Sequence, residues 1–445
     1  MEFPLSGAKI LKRKFTDLLS DETWSELLIG GNFYEFEKLL YQQMLSLYDE
    51  VCEGLIKVVS TNQDFLTAQK TRAEKEGLKK LEFRESNVRL RTGTKINYLS
   101  LYAKIAPSDY VGSRHISSVL WQTKHNCSPM YQSIICLHSV LCPSFSVSKS
   151  LLNYQGIHAN YEKVRQVSLG LAADCMTERS SIQLSQEDTL ADKQVVIAMD
   201  GGRSRTRVYQ EGKSGRGEKF DTPWREPKMF VITTCDENGK LNKVDKPIYD
   251  GTFGDDETFA LLEGYLKNLE IDKAKSVQFL ADGAPWIWNR VKPSLLSLGV
   301  AEDKITETLD YYHASEHLHE MKVYFDKDKQ GTHFTQLKDA LWKGDFEQMT
   351  TLIKEGIKGV NLEEFNPFKY FKKQQERIGY QSLRSENRPC GSGVIESAIR
   401  RIINLRFKSP STFWYPENVE KLIFMRGIAL SGRWETMMNN KFNKT

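Results

Sequence analysis

Three acidic residues in the second half of the chain stand where their carboxylates could meet. Asp200 ends the apolar run "VVIAMD" and is followed by two glycines. Asp282 ends a second apolar run, "SVQFLAD", and Glu396 follows the glycines of "CGSGVIES". Asp-Gly after a strand is also a common turn, and a glutamate in the first turn of a helix also complements the helix dipole. Each acid alone has such a plain explanation, so the interpretation depends on their order.

Converging carboxylates of this kind suit metal-dependent phosphoryl transfer. Two divalent ions about 3.5–4 Å apart can activate a water or a 3′-hydroxyl and stabilise the leaving oxygen of an in-line displacement. Mg²⁺ prefers hard oxygen ligands and keeps several waters, so a few carboxylates and a phosphate are sufficient. A strand end would hold each carboxylate rigidly, and the adjacent glycines would leave room for a sugar–phosphate backbone.

The elements around these residues follow a specific order. The segments "VVIAMD", "RTRVYQEG" and "KMFVITTCDENGKL" each predict a strand, the last with an Asn238-Gly239 turn. A helix over "DDETFALLEGYLKNLEI" and a fourth strand, "SVQFLADG", come next, and "KITETLDYYHASEHLHEMKVYF" predicts a strand that runs into a helix. Three strands, a helix and a further strand, with acids ending the first and fourth strands, is the order of an α/β RNase H-like core.

The fold class expected from this order is a mixed five-stranded sheet with flanking helices. Its last carboxylate, Glu396, would lie in the first turn of a helix over "CGSGVIESAIRRIINLRFK", with Ser392 as a candidate N-cap. The interval between Asp282 and Glu396 is longer than a minimal core needs. A helical insertion around residues 325–385 is therefore expected before the last acid.

The N-terminal part of the chain has a different character. Residues 20–85 predict helices, and "NVRLRTGTKINYLSLYAKI" predicts a β-hairpin around Gly93. The polar stretch "TERSSIQLSQEDTLADKQ", residues 177–194, is typical of a linker. We expect a mainly helical accessory and DNA-binding region over residues 1–190 and a catalytic domain over residues 191–445.

Composition and cysteine usage favour a cytoplasmic protein. The chain is 40% hydrophobic and 27% charged, as is ordinary for globular proteins, and it has no apolar stretch long enough to span a membrane. Its seven cysteines are scattered and contain no CxxC, which suits a reducing compartment. The N-terminal residues His125, Cys127, Cys136, His138 and Cys142 lack the spacing of a zinc site, which favours buried or incidental cysteines.

Positive charge is concentrated in three parts of the sequence. Lys70 to Lys95 holds nine basic and four acidic residues, Arg203 to Lys228 holds eight and four, and Glu396 to the C-terminus holds nine and four. Three basic zones fit a polyanionic partner. Solvated helix faces that are rich in lysine explain any single zone equally well.

Five stretches together resemble the DDE-class transposases of bacterial insertion sequences, in particular the Kra-type lineage, which is related to the Mutator-like group. They are "MDGGR", "ADGAPWIWN", "LDYYHASEHL", "GSGVIES" and "ALSGRW", within about residues 195–435. The resemblance implies that Asp200, Asp282 and Glu396 are the catalytic triad and the ligands of Mg²⁺ or Mn²⁺, with two ions in the site. It also implies a catalytic role for His313 in "DYYH", which begins with Asp310.

The same resemblance suggests residues that contact DNA. The segment "WREPK" resembles the family's WREVK element, with Pro227 in the place of Val. Candidate DNA contacts are Arg225 and Lys228 of this segment, together with Arg203, Asp310 and Arg400. Arg400 is a candidate because it lies one helical turn after Glu396, where it could hold a phosphate. Arg400 could instead pair with Glu396, one helical turn before it. For Trp286 and Trp288, stacking on an unpaired base and packing of a helix against the sheet are both open, with packing favoured.

The function implied by the resemblance is that of a DNA transposase. Such an enzyme would bind the ends of its mobile element, nick by hydrolysis and join the 3′-hydroxyl to target DNA, as a homodimer or higher oligomer on DNA. Two alternatives stay open. One is a related RNase H-like nuclease that cuts without joining, and the other is a transposase-derived DNA-binding protein without catalysis.

Overall fold

The computed structural model describes residues 12–17, 20, 22–104, 114–177, 179, 188–211, 215, 217–327, 330–357, 361–362, 364–409 and 412–443. The chain divides into two compact units, Met1–Leu171 with Phe442–Thr445, and Ala172–Lys441. Half of the linker predicted over residues 177–194 lies outside the described residues. Among the described residues, no helix has the length and apolar character to cross a membrane.

The N-terminal unit combines helices with an antiparallel hairpin. Its elements are α1 (Glu22–Ile29), α2 (Phe33–Thr61), α3 (Gln63–Lys75), β1 (Lys79–Arg89), β2 (Lys95–Lys104), β3 (Arg114–His115), α4 (Ile116–Leu120), α5 (Pro129–Leu141), α6 (Phe145–Tyr154) and α7 (Tyr161–Met176). The hairpin predicted around Gly93 is confirmed, because β1 pairs antiparallel with β2.

The helix predicted up to residue 85 is wrong beyond Lys75. Residues 79–85 belong to β1 and pair with β2, where Ile96, Tyr98 and Ser100 alternate into the interior. This pairing with a half-buried strand outweighs the helical preference of the charged residues in β1.

The second unit contains one large sheet. Its strands are β4 (Gln194–Gly201), β5 (Ser204–Arg205), β6 (Val208–Tyr209), β7 (Phe220–Asp221), β8 (Trp224–Arg225), β9 (Pro227–Cys235), β10 (Ile248–Phe253), β11 (Ser276–Ala281) and β12 (Ile305–Leu309). Five of these strands lie in the order β10-β9-β4-β11-β12. The first three are antiparallel, and β4, β11 and β12 are parallel. The predicted mixed five-stranded sheet is confirmed, and its order fits an RNase H-like core.

The second strand predicted from the sequence is wrong. The segment "RTRVYQEG" contributes only to the short strands β5 and β6, which pair with β8 and β7 outside the large sheet. The neighbours of β4 are instead β9 and β11, whose interiors are apolar and buried. The exposed Arg205 is unsuited to such a position.

The strand that the sequence prediction missed is β10, "IYDGTF". Aspartate and glycine are depleted in strands, and β10 contains both. The buried Asp250 is paired with Arg179, and Tyr265 Oη donates to its Oδ2 at 2.9 Å. A Cβ on Gly251 would lie 2.2 Å from the carbonyl oxygen of Lys228, so this position needs the missing side chain.

The helices of the second unit are α8 (Asp255–Asn268), α9 (Pro285–Trp288), α10 (Val291–Ser297), α11 (Tyr311–Met321), α12 (Thr332–Lys343), α13 (Phe346–Gly356), α14 (Asn366–Gln374), α15 (Tyr380–Ser385), α16 (Gly393–Ile399), α17 (Leu405–Phe407), α18 (Pro416–Leu430) and α19 (Trp434–Phe442). Short 3₁₀ turns cover Ile271–Lys273, Glu302–Lys304, Lys322–Tyr324 and Gln375–Arg377, and a π-helical turn, Arg400–Asn404, joins α16 to α17.

Helices α12 to α15 occupy the region of the predicted insertion. Their buried side chains form one hydrophobic core with those of α11, including Leu318, Phe334, Leu341, Phe368 and Tyr380. Because α11 follows β12 directly, this core also fixes the helix that leaves the sheet edge at Asp310.

Candidate active site

Three aspartates lie at one level along the carboxyl edge of the sheet. Asp200 is near the end of β4, Asp282 follows β11 and Asp310 follows β12. In the parallel part of the sheet, Ala281 pairs with Met199 on one side and with Leu309 on the other, so the residues just before the three aspartates are in register. Adjacent strands are about 4.8 Å apart, so the three side chains start from neighbouring points.

The environment of Asp200 disfavours a negative charge. Burial is the main cause that raises the pKa of Asp200 to about 6; the charge of Asp282 acts in the same direction, and a hydrogen bond from Gly201 opposes the shift. The Gly201 N–H donates to Asp200 Oδ1 at 2.6 Å. Burial and a nearby carboxylate are the two effects that raise the pKa of an acid, and both act here.

The glycines after Asp200 are explained by close packing. A Cβ on Gly201 would lie 1.7 Å from Glu226 Oε1, and one on Gly202 would lie 2.3 Å from Ile403 Cδ1. Ile403 belongs to the π-helical turn that continues α16, and its side chain is fully buried. The glycines therefore allow the helical segment after Glu396 to approach the end of β4.

The loop after β11 is held from both sides. Asp282 Oδ1 accepts a hydrogen bond from the Ala284 N–H at 3.0 Å, and Trp288 Nε1 donates to the Asp282 carbonyl oxygen at 2.5 Å. The ring of Tyr370 lies so close to Gly283 that a Cβ there would be 2.1 Å from it. Asp282 is thus presented by a loop with little freedom.

Asp310 connects two further candidate residues. It is fully buried, and its Oδ1 accepts a hydrogen bond from the backbone N–H of His313 at 2.7 Å, which caps α11. The Nδ1 atom of His313 lies 3.2 Å from the same oxygen. The Ser392 N–H donates to Asp310 Oδ2, and Ser392 Oγ donates to Glu396 Oε1 at 3.1 Å.

This arrangement keeps opposite charges on Asp310 and His313. Burial would raise the pKa of Asp310, but hydrogen bonds from His313 and Ser392 outweigh it and hold the pKa at about 2. The close contact with the Asp310 carboxylate, whose Oδ1 lies 3.2 Å from Nδ1, raises the pKa of His313 to about 9 although burial opposes the shift. The imidazole is therefore protonated at neutral pH.

The described residues contain one group that could hold a metal ion by geometry. One ligand atom each from Asp310, His313 and Glu396 lies within 4.8 Å of the other two. The predicted triad of Asp200, Asp282 and Glu396 is not such a group in the described part of the chain. Glu396 belongs to both sets, is exposed and lies in the first turn of α16.

The residues predicted to contact DNA differ in their surroundings. Arg203, Arg225 and Arg400 are exposed, and Arg400 lies in the π-helical turn rather than in a regular α-helical turn after Glu396. Lys228 is largely buried, with its Nζ 3.1 Å from Glu226 Oε1 and 4.4 Å from the centre of the Trp286 ring. Asp310 is the buried cap described above.

The two tryptophans after Asp282 pack against other side chains. Trp288 is buried, its ring centre lies 6.1 Å from that of Phe279, and the Arg377 guanidinium lies 4.6 Å from it. Trp286 meets Phe259 edge to face at 6.2 Å. These contacts agree with the packing interpretation that the sequence favours.

Sequence reasoning missed the parts played by Ser392 and Tyr370. Ser392 was predicted only as a helix cap, yet it contacts both Asp310 and Glu396. The glycine before it gives a local signal, because Asp310 Oδ2 would lie 3.5 Å from a Cβ on Gly391. Tyr370 comes from the insertion, and no pattern near Asp282 points to it.

The predicted zinc candidates lie in the N-terminal unit. Cys127, Cys136 and Cys142 are buried, and Cys127 Sγ lies 3.3 Å from the carbonyl oxygen of His125. His138 contacts the Ile134 carbonyl and the Gln155 side chain.

Comparison with known proteins gives a distant likeness. No protein-family model matches the chain, and no curated protein matches it. The chain is similar to a solved structure described as the Drosophila P element transposase strand transfer complex, with 12% sequence identity and a TM-score of 0.25. The similarity covers 72% of this chain and 82% of that one. A likeness at this level assigns neither a lineage nor an activity.

Proposed function

We propose that this chain is a DNA transposase that catalyses metal-dependent strand cleavage and strand transfer at the ends of its mobile element. The observation that carries the proposal is that Asp200 and Asp282 lie side by side at the carboxyl ends of two neighbouring parallel strands. Glu396 lies on α16, which packs against β4 and β9 of the same sheet. The resemblance of the surrounding segments to Kra-type DDE transposases supports this assignment.

The proposed ligands suit Mg²⁺ or Mn²⁺. Asp200, Asp282 and Glu396 offer only carboxylate oxygens, which are the hard donors that these ions prefer. The raised pKa of Asp200 indicates a place where negative charge is poorly solvated and lies beside another carboxylate, which a cation would relieve. When bound, two such ions would activate the attacking oxygen and stabilise the leaving one.

His313 is proposed to contact the scissile phosphate. With a pKa of about 9, its imidazole carries a positive charge and donor protons at neutral pH. The Asp310 carboxylate lies 3.2 Å from His313 Nδ1, on the side of the ring that leaves Nε2 for a phosphate oxygen. Ser392 holds the carboxylate of Glu396 through its hydroxyl, and Asp310 in turn accepts the Ser392 N–H.

The proposal also assigns the residues that bind DNA and the assembly that acts on it. The exposed Arg203, Arg225 and Arg400 are proposed to hold phosphates next to the site. Residues 1–190 are proposed to recognise element ends, with the enzyme acting as a homodimer or higher oligomer on DNA.

Single substitutions of the three acids test the proposal. We expect Asp200→Asn, Asp282→Asn and Glu396→Gln each to reduce Mg²⁺-dependent cleavage of labelled element-end DNA to background while leaving folding and DNA binding intact. Asp272→Asn is the matched control, because this exposed residue precedes the opposite end of β11. Parent-rate cleavage by Asp200→Asn or Glu396→Gln would contradict the assignment.

The same assay separates the alternatives. A transposase joins the cut 3′-end to a second DNA, so a strand-transfer product should appear with an unlabelled target plasmid. Cleavage without joining would favour the nuclease. Specific binding without either product, at all concentrations of Mg²⁺ and Mn²⁺, would favour a DNA-binding protein that has lost catalysis.

A further inference from the structure

A cluster of arginines and aromatic rings is formed by the short strand pairs β5–β8 and β6–β7, which lie between β4 and β9 in the chain, and by the segment just before α18. We call this cluster the arginine–aromatic arm, defined by Arg205, Arg207, Tyr209, Phe220, Trp224, Phe413 and Tyr415. All of its residues except Phe413 and Tyr415 belong to the basic zone from Arg203 to Lys228, and the predicted triad does not use the arm.

Each of the two arginines in the arm lies over aromatic rings. The guanidinium of Arg205 lies 5.2 Å from the ring centre of Trp224 and 5.9 Å from that of Phe413. The guanidinium of Arg207 lies 4.3 Å from the ring centre of Phe220. Such contacts fix the plane of a guanidinium. Arg207 also donates from Nη1 to Tyr209 Oη at 3.3 Å, whereas the exposed Arg205 keeps outer N–H groups that can bind an anion.

The rings also contact one another. Tyr209 stacks on Tyr415 with centres 6.1 Å apart and an angle of 25° between the rings, and Phe220 meets Phe413 at 5.6 Å. Tyr209 and Phe220 are 5.5 Å apart. Four half-buried rings therefore form a continuous row, and Arg205 connects its end at Phe413 to the exposed Trp224.

The arm is firmly attached but is not a hydrophobic core. The buried Trp414 fastens it, because the Trp414 N–H donates to the Arg205 carbonyl oxygen at 3.0 Å and the Arg207 N–H donates to the Trp414 carbonyl oxygen at 2.8 Å. Trp224, by contrast, is 53% exposed, and Arg205 is exposed. An ordered, exposed tryptophan held against an arginine is typical of a binding surface.

The charges of this surface are not balanced by carboxylates. Among the described residues, neither Arg205 nor Arg207 has a carboxylate oxygen within ion-pair distance. The zone from Arg203 to Lys228 carries eight basic and four acidic residues. A partner that combines negative charge with flat apolar rings fits this surface, and an unpaired nucleic-acid strand has both.

The arm is also close to the candidate active site. Arg205 follows Asp200 by five residues, and an extended chain covers at most about 3.6 Å per residue, so their Cα atoms are within about 18 Å. That distance corresponds to a few nucleotides of an extended strand. A DNA strand bound at Asp200 can therefore reach the arm.

We infer that the arginine–aromatic arm binds an unpaired stretch of the DNA strand next to the cleavage site, with its bases stacked on Trp224 and Arg205. Bases expose their faces only outside the duplex, so the arm favours single-stranded over double-stranded DNA. The inference rests on the proposed function, since it assumes that DNA is the substrate.

Binding of the full-length chain to DNA without divalent metal tests the arm. We would measure fluorescence anisotropy with a labelled 20-nucleotide single strand of mixed sequence and with the matching duplex, at one salt concentration. Trp224→Ala should weaken single-strand binding about tenfold and duplex binding less than twofold. Trp224→Phe should keep most of the affinity, and Arg205→Gln should weaken single-strand binding.

Lys240→Gln is the control, because it removes one exposed positive charge from the Asn238-Gly239 turn, outside the arm. Unchanged single-strand binding by folded Trp224→Ala and Arg205→Gln would overturn the inference and leave the proposed function standing. If the unaltered protein bound neither DNA, the proposed function itself would fail. If Trp224→Ala changed only the sedimentation of DNA-free protein, the arm would be a contact between copies of the chain, and the inference would be wrong.

Discussion

At the scale of single residues, Asp200 combines a structural cost with a proposed chemical use. Its pKa of about 6 means that the folded protein binds this proton more tightly than the unfolded chain, whose aspartate has its ordinary pKa of 3.8. The free energy of unfolding therefore falls as the pH rises from about 4 to about 6, and the loss persists at higher pH.

Asp200→Asn should remove this loss. In EDTA at pH 8 we expect the variant to unfold with a free energy about 1–3 kcal/mol higher than the parent, because an amide carries no charge to bury. At pH 4 the difference should be small. Urea unfolding at both pH values measures this, with Asp272→Asn as the exposed control. Equal stability of variant and parent at pH 8 would show that the Asp200 charge is well solvated.

The pair of His313 and Asp310 makes a second prediction at this scale. If the imidazolium of His313 contacts the phosphate, His313→Gln should slow cleavage about 100-fold without changing DNA affinity. The parent rate should fall as the pH rises through about 9, where His313 loses its proton. Asp310→Asn, which can still cap α11, should move this fall to lower pH because it removes the charge that raises the pKa of His313.

Cleavage rates from pH 6 to 10 measure both effects. His319→Gln, an exposed substitution on the same helix, is the matched control and should leave the profile unchanged. An unaltered profile in Asp310→Asn would mean that the titration belongs to another group. Equal losses of activity and stability in His313→Gln would favour a packing role for the ring.

The residue types at the site could be predicted from the sequence only in part. The positions of Asp200 and Asp282 at the ends of neighbouring strands were predictable, because each follows an apolar run that forms a buried strand. The link from Asp310 through Ser392 to Glu396 was not predictable, since it joins a strand end to a distant loop by one backbone N–H and one hydroxyl. Patterns in a sequence report periodicity and do not report such single contacts.

At the scale of elements, apolar strands were predictable and the edge strand β10 was not. Its Asp250 is acceptable in a strand only because Arg179 reaches it from a region before β4, with Nε donating to Oδ2 at 2.7 Å. The Gly251 N–H also donates to Asp250 Oδ1 at 2.8 Å. A strand that depends on a partner far away in the chain has no local signature.

Removing this partner should destabilise the sheet edge. Arg179→Ala leaves the fully buried Asp250 without its cation, and we expect the free energy of unfolding to fall by about 3–5 kcal/mol. Lys343→Ala is the control, because its ion pair with Asp339 is at the surface and should contribute less than about 1 kcal/mol. Chemical denaturation of both variants gives the comparison, and similar small losses in the two would contradict a structural role for the buried pair.

At the scale of the whole molecule, the sequence predicted that the N-terminal region differs in character from the rest of the chain. It did not predict the residue at which the second compact unit begins. That unit starts at Ala172, whereas the predicted boundary was residue 190. Arg179 and Asp188 lie between these two positions and pair with residues further along the second unit. Arg179 pairs with Asp250, and Asp188 pairs with Arg433. Composition alone suggested a linker there, because two charged residues that bind distant partners cannot be distinguished from solvated ones.

The proposed role of residues 1–190 in recognising element ends can be tested with a fragment of residues 172–445, which keeps Arg179 and Asp188. The zone from Lys70 to Lys95, with nine basic and four acidic residues, should supply phosphate contacts to the full chain. Each such contact makes the logarithm of affinity fall more steeply with the logarithm of salt concentration, by about 0.9 per contact. The full chain should therefore bind the DNA that flanks its gene at least about tenfold more tightly than the fragment in low salt, and with a steeper slope. Anisotropy titrations at several salt concentrations measure both quantities, after circular dichroism has shown that the fragment is folded. A folded fragment that matches the full chain in affinity, slope and preference for flanking over unrelated DNA would assign end recognition to the second unit instead.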